Sequence, residues 1–272
     1  MKKIDIHCHT TNRSVKDILP ASAGIETLLS EMKAHDVEKT VLLATYFPHR
    51  ESGISNFRMH HWIKDRPEFA MFGSLDFEHY FKQGMNELYE LSEGGLIKGI
   101  KIYTGYQRID LESANFREVL GLARKQELPV MFHCGFSYSS MRQYGKPAIT
   151  VVVGAKMLEP IALEYPSLVF ILSHLAKPAT EELISVLKRA PNVYTDMSGL
   201  VDSKFDKDEI PDSIESIRKV LGECGPKKLL FGTDFPVQTH DDSVYFIEQA
   251  MKDYSLKDKE DVYYNNARRL LR

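Results

Sequence analysis

Cysteine is scarce in this chain. Cys8, Cys134 and Cys224 are an odd and sparse set among 272 residues, which excludes a disulfide framework. No apolar run approaches the length needed to span a bilayer. Met1-Lys2-Lys3 runs straight into a strand-like segment without the apolar stretch of a signal peptide. No basic stretch stands out, and the net charge of −3 argues against a nucleic-acid partner. Short-period repeats, low-complexity segments and linkers are missing too. These absences predict a soluble, cytoplasmic protein folded as a single domain over 1–272, with enough chain for one large core.

What the chain has is alternation. Short apolar runs rich in β-branched and aromatic residues occur at 3–9, 39–45, 69–75, 97–103, 129–135, 168–174, 192–198 and 228–234. Longer amphipathic segments separate them. Residues 25–35 place Ile25, Leu28, Leu29 and Met32 on one face, and 114–127 do the same with Phe116, Val119, Leu120 and Ala123. The 180–190 segment opens acidic and closes on Lys188 and Arg189, which suits the helix dipole. The tail from Ser255 reads as a final helix. Eight strands alternating with helices predict a parallel sheet with right-handed crossovers, and eight strands close a barrel. An open doubly wound sheet would announce itself with a glycine-rich loop after the first strand; here that position holds His7-Cys8-His9. The expected fold is a distorted (β/α)8 barrel, whose chemistry gathers at the carboxyl ends of its strands.

Polar residues collect at those ends. His7 and His9 close the first strand, His133 the fifth, His174 the sixth and Asp234 the eighth. Alternation lets His7 and His9 face the mouth together while Cys8 faces the helices. Imidazoles and a carboxylate are donors that zinc accepts, at bonds of roughly 2.0–2.2 Å. Three or four of them leave a position for water, whose pKa the metal lowers to about 7. Each residue has a plainer reading, as a strand residue, a structural histidine or a turn aspartate; their joint placement at strand ends favours a metal site. Cys8 and Cys134 read as small buried hydrophobes. His35, His60, His61 and His79 read as surface or packing residues, whereas His49 and His240 fall in loops after strands 2 and 8, within reach of substrate.

IDIHCHT, PVMFHCG, FILSHLAKP, NVYTDMSG and LLFGTDFP, in this order, resemble the amidohydrolase superfamily and within it amidohydrolase family 2. The resemblance runs from residue 3 to the NNARRLL near the end of the chain. It implies a distorted (β/α)8 barrel with a divalent metal, zinc first and manganese second, held by His7, His9, His133 and Asp234. It makes His174 a further ligand or a general acid/base, and Asp234 the acceptor of a proton from the attacking water. Many binuclear relatives carry a carboxylated lysine or a glutamate on strand 4. Here Lys101 stands alone in KGIKIYTGY, as a carbamate bridge, an ammonium for an anionic substrate group, or a structural pair. The bridge is the least favoured of the three, and one ion is expected rather than two. TatD-like deoxyribonucleases would carry a strand-4 glutamate that this sequence lacks.

Two reactions suit such a site. One is hydrolysis of an amide, lactone or ester carbonyl; the other is non-oxidative decarboxylation of an aromatic or dienoic acid. A non-catalytic metal-binding or regulatory barrel is the alternative of another class. Arg50, Lys101, Arg108, Arg142 and Lys146 put cations near the mouth, which suits a small carboxylate-bearing substrate. Tyr103, Tyr106, Phe136 and Tyr138 are candidates for an aromatic wall, and His49 and Arg50 for substrate contacts beside Lys101 and Tyr103. Helices on the barrel exterior would suit a homodimer.

Overall fold

A computed structural model describes residues 1–11, 23–45, 54–135 and 153–271. Among them, eight strands follow one another: β1 (Lys3–Cys8), β2 (Val37–Leu43), β3 (Phe69–Phe72), β4 (Ile100–Ile102), β5 (Val130–Phe132), β6 (Phe170–Leu172), β7 (Val193–Asp196) and β8 (Leu229–Leu230). All pair in parallel and in sequence order, as β1-β2-β3 and β4-β5-β6-β7-β8. Single bridges join the two sheets, Gly73 to Ile100 at one seam and Cys8 to Phe235 at the other. At the second seam the Ile6 N–H donates to Phe231 O, His9 N–H to Phe235 O and Asp234 N–H to His7 O, at 3.1, 2.8 and 2.7 Å. The result is the expected (β/α)8 barrel, distorted in that the ladder thins at two places.

The helices that cover it are α1 (Ile25–Ala34), α2 (Asn56–Ile63), α3 (Phe81–Glu93), α4 (Ala114–Lys125), α5 (Ala155–Glu164), α6 (Thr180–Arg189), α7 (Ile210–Cys224) and α8 (His240–Ala250). Local chemistry starts several of them. The side chains of Ser55, Ser113 and Thr239 accept from the backbone N–H groups of Arg58, Phe116 and Asp242, satisfying first-turn donors. The tail is helical but interrupted: Leu256–Glu260 passes through a π turn at Asp261–Asn265 into Asn266–Leu270. There Tyr264, Ala267 and Leu270 pack on the barrel interior. No helix among the described residues is long and apolar enough to cross a membrane.

Strand alternation sorts the core into two layers. Ile4, Ile6, Val41, Leu43, Phe72, Met131, Ile171 and Leu230 fill the barrel. Their neighbours, among them Leu42, Met71, Ile100, Val130, Phe132 and Phe170, face outward onto helix residues such as Leu28, Leu88, Phe116 and Phe246. The filled interior makes the barrel a solid support, open to solvent chemistry only at its end.

One irregularity matters for the mouth. With Ile4 and Ile6 inside, strict alternation would turn His7 outward. Against β2, however, Asp5 pairs with Thr40 and Cys8 with Leu42, so three steps of β1 match two of its neighbour. This bulge shifts the phase by one residue. His7 is therefore returned to the inner face, and Cys8 joins the outer core.

Candidate functional site

Two strand ends, those of β1 and β8, bring a histidine–carboxylate set together. The Nε2 atoms of His7 and His9 lie 3.4 and 3.1 Å from Asp234 Oδ1. These separations are close to the roughly 3.3 Å edge of a tetrahedron with bonds of 2.0–2.1 Å. His7 is buried, while His9 and Asp234 each keep about 15% exposure, 15% and 16%, on the open side. Asp234 reaches this place through a left-handed turn, with φ of 62°, in a region that costs a non-glycine residue energy and is often found at functional positions. Gly199 lies beneath it, itself at φ 57°; a Cβ there would meet Asp234 Oδ2 at 2.5 Å and His174 Nδ1 at 3.0 Å.

His174 and His133 form the adjoining wall. β6 ends at Leu172, and His174, Leu175 and Ala176 then take left-handed conformations in succession. The turn brings the His174 ring centroid to 4.9 Å from His7 and 4.7 Å from His133. The His174 Nδ1–H donates to Ser198 O at 2.8 Å, which leaves the Nε2 lone pair 3.1 Å from His133 Nδ1. His133 Nε2 is buried without a hydrogen-bond partner among the described residues. His133 thus touches the set through His174 rather than directly.

Behind these rings lies a hub that the sequence reading overlooked. Asp196 ends β7 and is fully buried. Its Oδ2 accepts the His7 Nδ1–H at 3.1 Å, and its Oδ1 accepts the backbone N–H groups of His174 and Ser198, both at 3.1 Å. The Ser198 hydroxyl also donates to Oδ1, and it stands 2.9 Å from His7 Nδ1 and 3.1 Å from His174 Nδ1. The signal was present in NVYTDMS: an aspartate closing a strand, the same pattern that marks Asp234.

Electrostatics set the protonation states. Burial, helped by Lys101, pushes His7 down to about 4 against the pull of Asp196 and Asp234. Burial likewise lowers His133 and His174. Burial alone would raise the two carboxyls, but Asp234, through its hydrogen bond with His9 and the nearby His7, is held well below the usual carboxylate range. Asp196 is held low in the same way by His7 and His174. At neutral pH His7, His133 and His174 are therefore neutral and both carboxylates ionised, the forms that bind metal.

Lys101 and Tyr103 follow one another on the inner face of β4. The Lys101 Nζ donates to Ser173 Oγ at 3.2 Å and lies 5.3 Å from the centre of the Tyr103 ring. Burial lowers its ammonium to about 8, although Asp196 and Asp234 pull the other way. With no exposure, Lys101 is enclosed beneath the rings. The Tyr103 ring is 6.4 Å from His9, and that of Tyr106 is 5.1 Å from His133, so two of the four aromatic candidates line this end. Arg108 is exposed. His49, Arg50, Phe136, Tyr138, Arg142 and Lys146 lie outside the described residues. His240, read from the sequence as lying in the loop after strand 8, is instead the first residue of α8, fully buried on the outer side of β1. Thr239 caps that helix, so the loop ends one residue too early to carry His240 to the mouth.

Comparison with known proteins agrees with this architecture. A search among curated proteins found no match. Solved structures align over essentially their whole length. A probable 2-pyrone-4,6-dicarboxylic acid hydrolase from Acinetobacter baumannii, crystallised with citric acid, is 16% identical with a TM-score of 0.71, covering 100% of this chain and 99% of its own. An amidohydrolase from Burkholderia multivorans with bound zinc is 15% identical with a TM-score of 0.72, again covering 100% and 99%. The 5-carboxyvanillate decarboxylase of Sphingomonas paucimobilis is 16% identical with a TM-score of 0.67, covering 99% and 98%. At such identities the likeness speaks for the fold. The family model for Amidohydrolase (Amidohydro_2) matches residues 4–272, and the chain belongs to that family.

Proposed function

We propose that this protein is a metal-dependent hydrolase that opens an amide, lactone or ester of a small carboxylate-bearing molecule. The observation that carries this reading is the Asp234 carboxylate, ionised, partly exposed and shared by the Nε2 atoms of His7 and His9. That donor set fits one divalent cation, zinc before manganese, with His133 and His174 on the adjoining side. The unpartnered His133 Nε2 supports the fit. When bound, the cation supplies Lewis acidity and makes water a nucleophile at neutral pH.

The chain's own groups account for the rest. Asp196 takes the His7 Nδ1–H and so keeps the Nε2 lone pair directed at the mouth. Asp234 Oδ2, above Gly199, accepts the proton of the attacking water. His174, with Nδ1–H tied to Ser198 O, turns its Nε2 lone pair to the His133 side, and exchanging that contact for substrate lets Nε2 take up a proton and hand it to the leaving group. Tyr103 and Tyr106 wall the site with aromatic surface.

Decarboxylation uses similar ligands, and several structural neighbours are decarboxylases. That reaction must deliver a proton to carbon. A carboxylate held ionised at the mouth suits proton acceptance, which favours hydrolysis. The deciding experiment loads purified protein with one equivalent of zinc and presents lactones and amides of carboxylic acids alongside hydroxybenzoates. Proton release from a lactone without CO2 supports the reading; CO2 release from an aromatic acid, with every carbonyl substrate inert, overturns it.

A further inference from the structure

A second group of donors lies on the outer face of β1, where that strand meets β8 and α8. Asp5 Oδ1 accepts the backbone N–H groups of His7 and Thr233, both at 3.1 Å. Its Oδ2 accepts the Cys8 thiol at 2.9 Å and the Thr233 hydroxyl at 2.7 Å. His240 brings Nε2 to 3.4 Å from the same Oδ2, yet neither ring nitrogen makes a hydrogen bond among the described residues. The ring is wholly buried, and a buried imidazole with neither nitrogen hydrogen-bonded carries a desolvation cost.

We infer that Asp5, Cys8 and His240 form a buried site for a divalent cation of the zinc type, separate from the mouth. One sulfur, one oxygen and one nitrogen donor lie within 4.8 Å of one another, a mixed set that zinc accepts. A thiolate, a carboxylate and a divalent cation sum to zero charge, which a low-dielectric location requires. The cation takes the place of the Cys8 thiol proton, which leaves to solvent. Two side chains must open slightly, because Cys8 Sγ and Asp5 Oδ2 stand closer in the hydrogen-bonded form than two zinc ligands do.

His240 also belongs to another set, with Glu31 and His35, but geometry selects against it. The His35 and His240 rings stack at 5.4 Å with only 23° between their planes, so their in-plane lone pairs run side by side instead of converging. His35 is moreover engaged at both nitrogens, with Glu31 O and Asp241 Oδ1, each at 2.9 Å. Glu31 has a different use: its Oε2 lies 3.9 Å from His240 Nδ1, where a carboxylate behind a ligating imidazole commonly sits.

Cobalt(II) tests this independently of the mouth, whose donors are nitrogen and oxygen alone. Reduced, metal-free protein titrated with Co2+ should develop a thiolate-to-cobalt charge-transfer band in the near ultraviolet, saturating by two equivalents, one ion for the mouth and one for this site. The band should survive in the His9→Ala/Asp234→Asn double variant and vanish in Cys8→Ser and in His240→Gln. Circular dichroism checks that each variant is folded, and His240→Gln carries the test if Cys8→Ser is not. Absence of the band in wild-type protein at excess cobalt would overturn the site. So would its persistence in folded Cys8→Ser, which would assign it to Cys134 or Cys224.

Discussion

His7 Nδ1 stands 3.1 Å from Asp196 Oδ2, both groups enclosed at the barrel end, where they link the ends of β1 and β7 across β8. The contact fixes which nitrogen of His7 carries hydrogen and which faces the mouth. Asp196→Asn keeps the shape but removes the charge and the certainty of that tautomer. Metal affinity should fall about 10–100-fold, read by competition with a coloured chelator, while the circular dichroism spectrum stays unchanged. Undiminished affinity would reduce Asp196 to a packing residue.

Asp234→Asn removes a donor atom and the proton acceptor together. We expect kcat to drop by at least about 10²-fold, with loss of bound metal and no change in fold. Unaltered turnover at saturating metal would remove Asp234 from the chemistry.

His174→Ala separates two roles. If His174 moves protons, kcat should fall on the order of 10²-fold with metal content nearly intact, and the pH profile should lose one limb. Stoichiometric loss of metal would instead make it a ligand.

Acid should unfold the metal-free protein early. His7 titrates near 4 in the fold against an ordinary 6.5. Between those values the unfolded chain binds a proton that the folded chain refuses, so stability falls as pH drops through this window. The shift corresponds to about 3 kcal/mol from His7, and His133 and His174, shifted the same way, add to it. Asp196, depressed below its usual 3.8, contributes stability above that value and loses it at lower pH. Unfolding temperatures measured in chelator from pH 7.5 to 4.5 should decline steeply; a flat profile would contradict the assigned protonation states.

Gly199→Ala should cost about 1–2 kcal/mol from its left-handed backbone alone. It should depress activity more than stability, because the added methyl collides with Asp234 Oδ2. Equal activity per folded molecule would mean that Asp234 is free to move aside.

Much of this architecture is legible in the sequence because period and position carry it. Seven of the eight strands lie within the expected runs, though shorter, and β2 begins two residues ahead of its run, at Val37; 228–234 contains only Leu229–Leu230 as strand, since beyond it the chain turns to aim Asp234. His7, His9 and Asp234 meet at the barrel end with His174 beside them, and His133 reaches them through His174. The bulge in β1 is not legible, because nothing in KIDIHCH distinguishes a continuous alternation from one reset after Asp5. Asp196 was readable by the rule that marked Asp234, but a lone carboxylate without a neighbouring histidine attracts less notice. His240 was misplaced because burial behind a strand depends on packing between distant segments, α8 against β1, which local pattern does not encode.

The seam between β1 and β8 has a further consequence. These are the first and last strands of the barrel, joined by a sparse ladder around the Cys8–Phe235 bridge. Across that same line His7 and His9 face Asp234. A ligand gripped by both sides therefore acts as a rivet between the first and last strands, binding them where the backbone ladder is thin. Occupancy should then be felt as mechanical closure of the whole ring, with slower amide exchange along β1 and β8 and little change at the opposite β3–β4 junction.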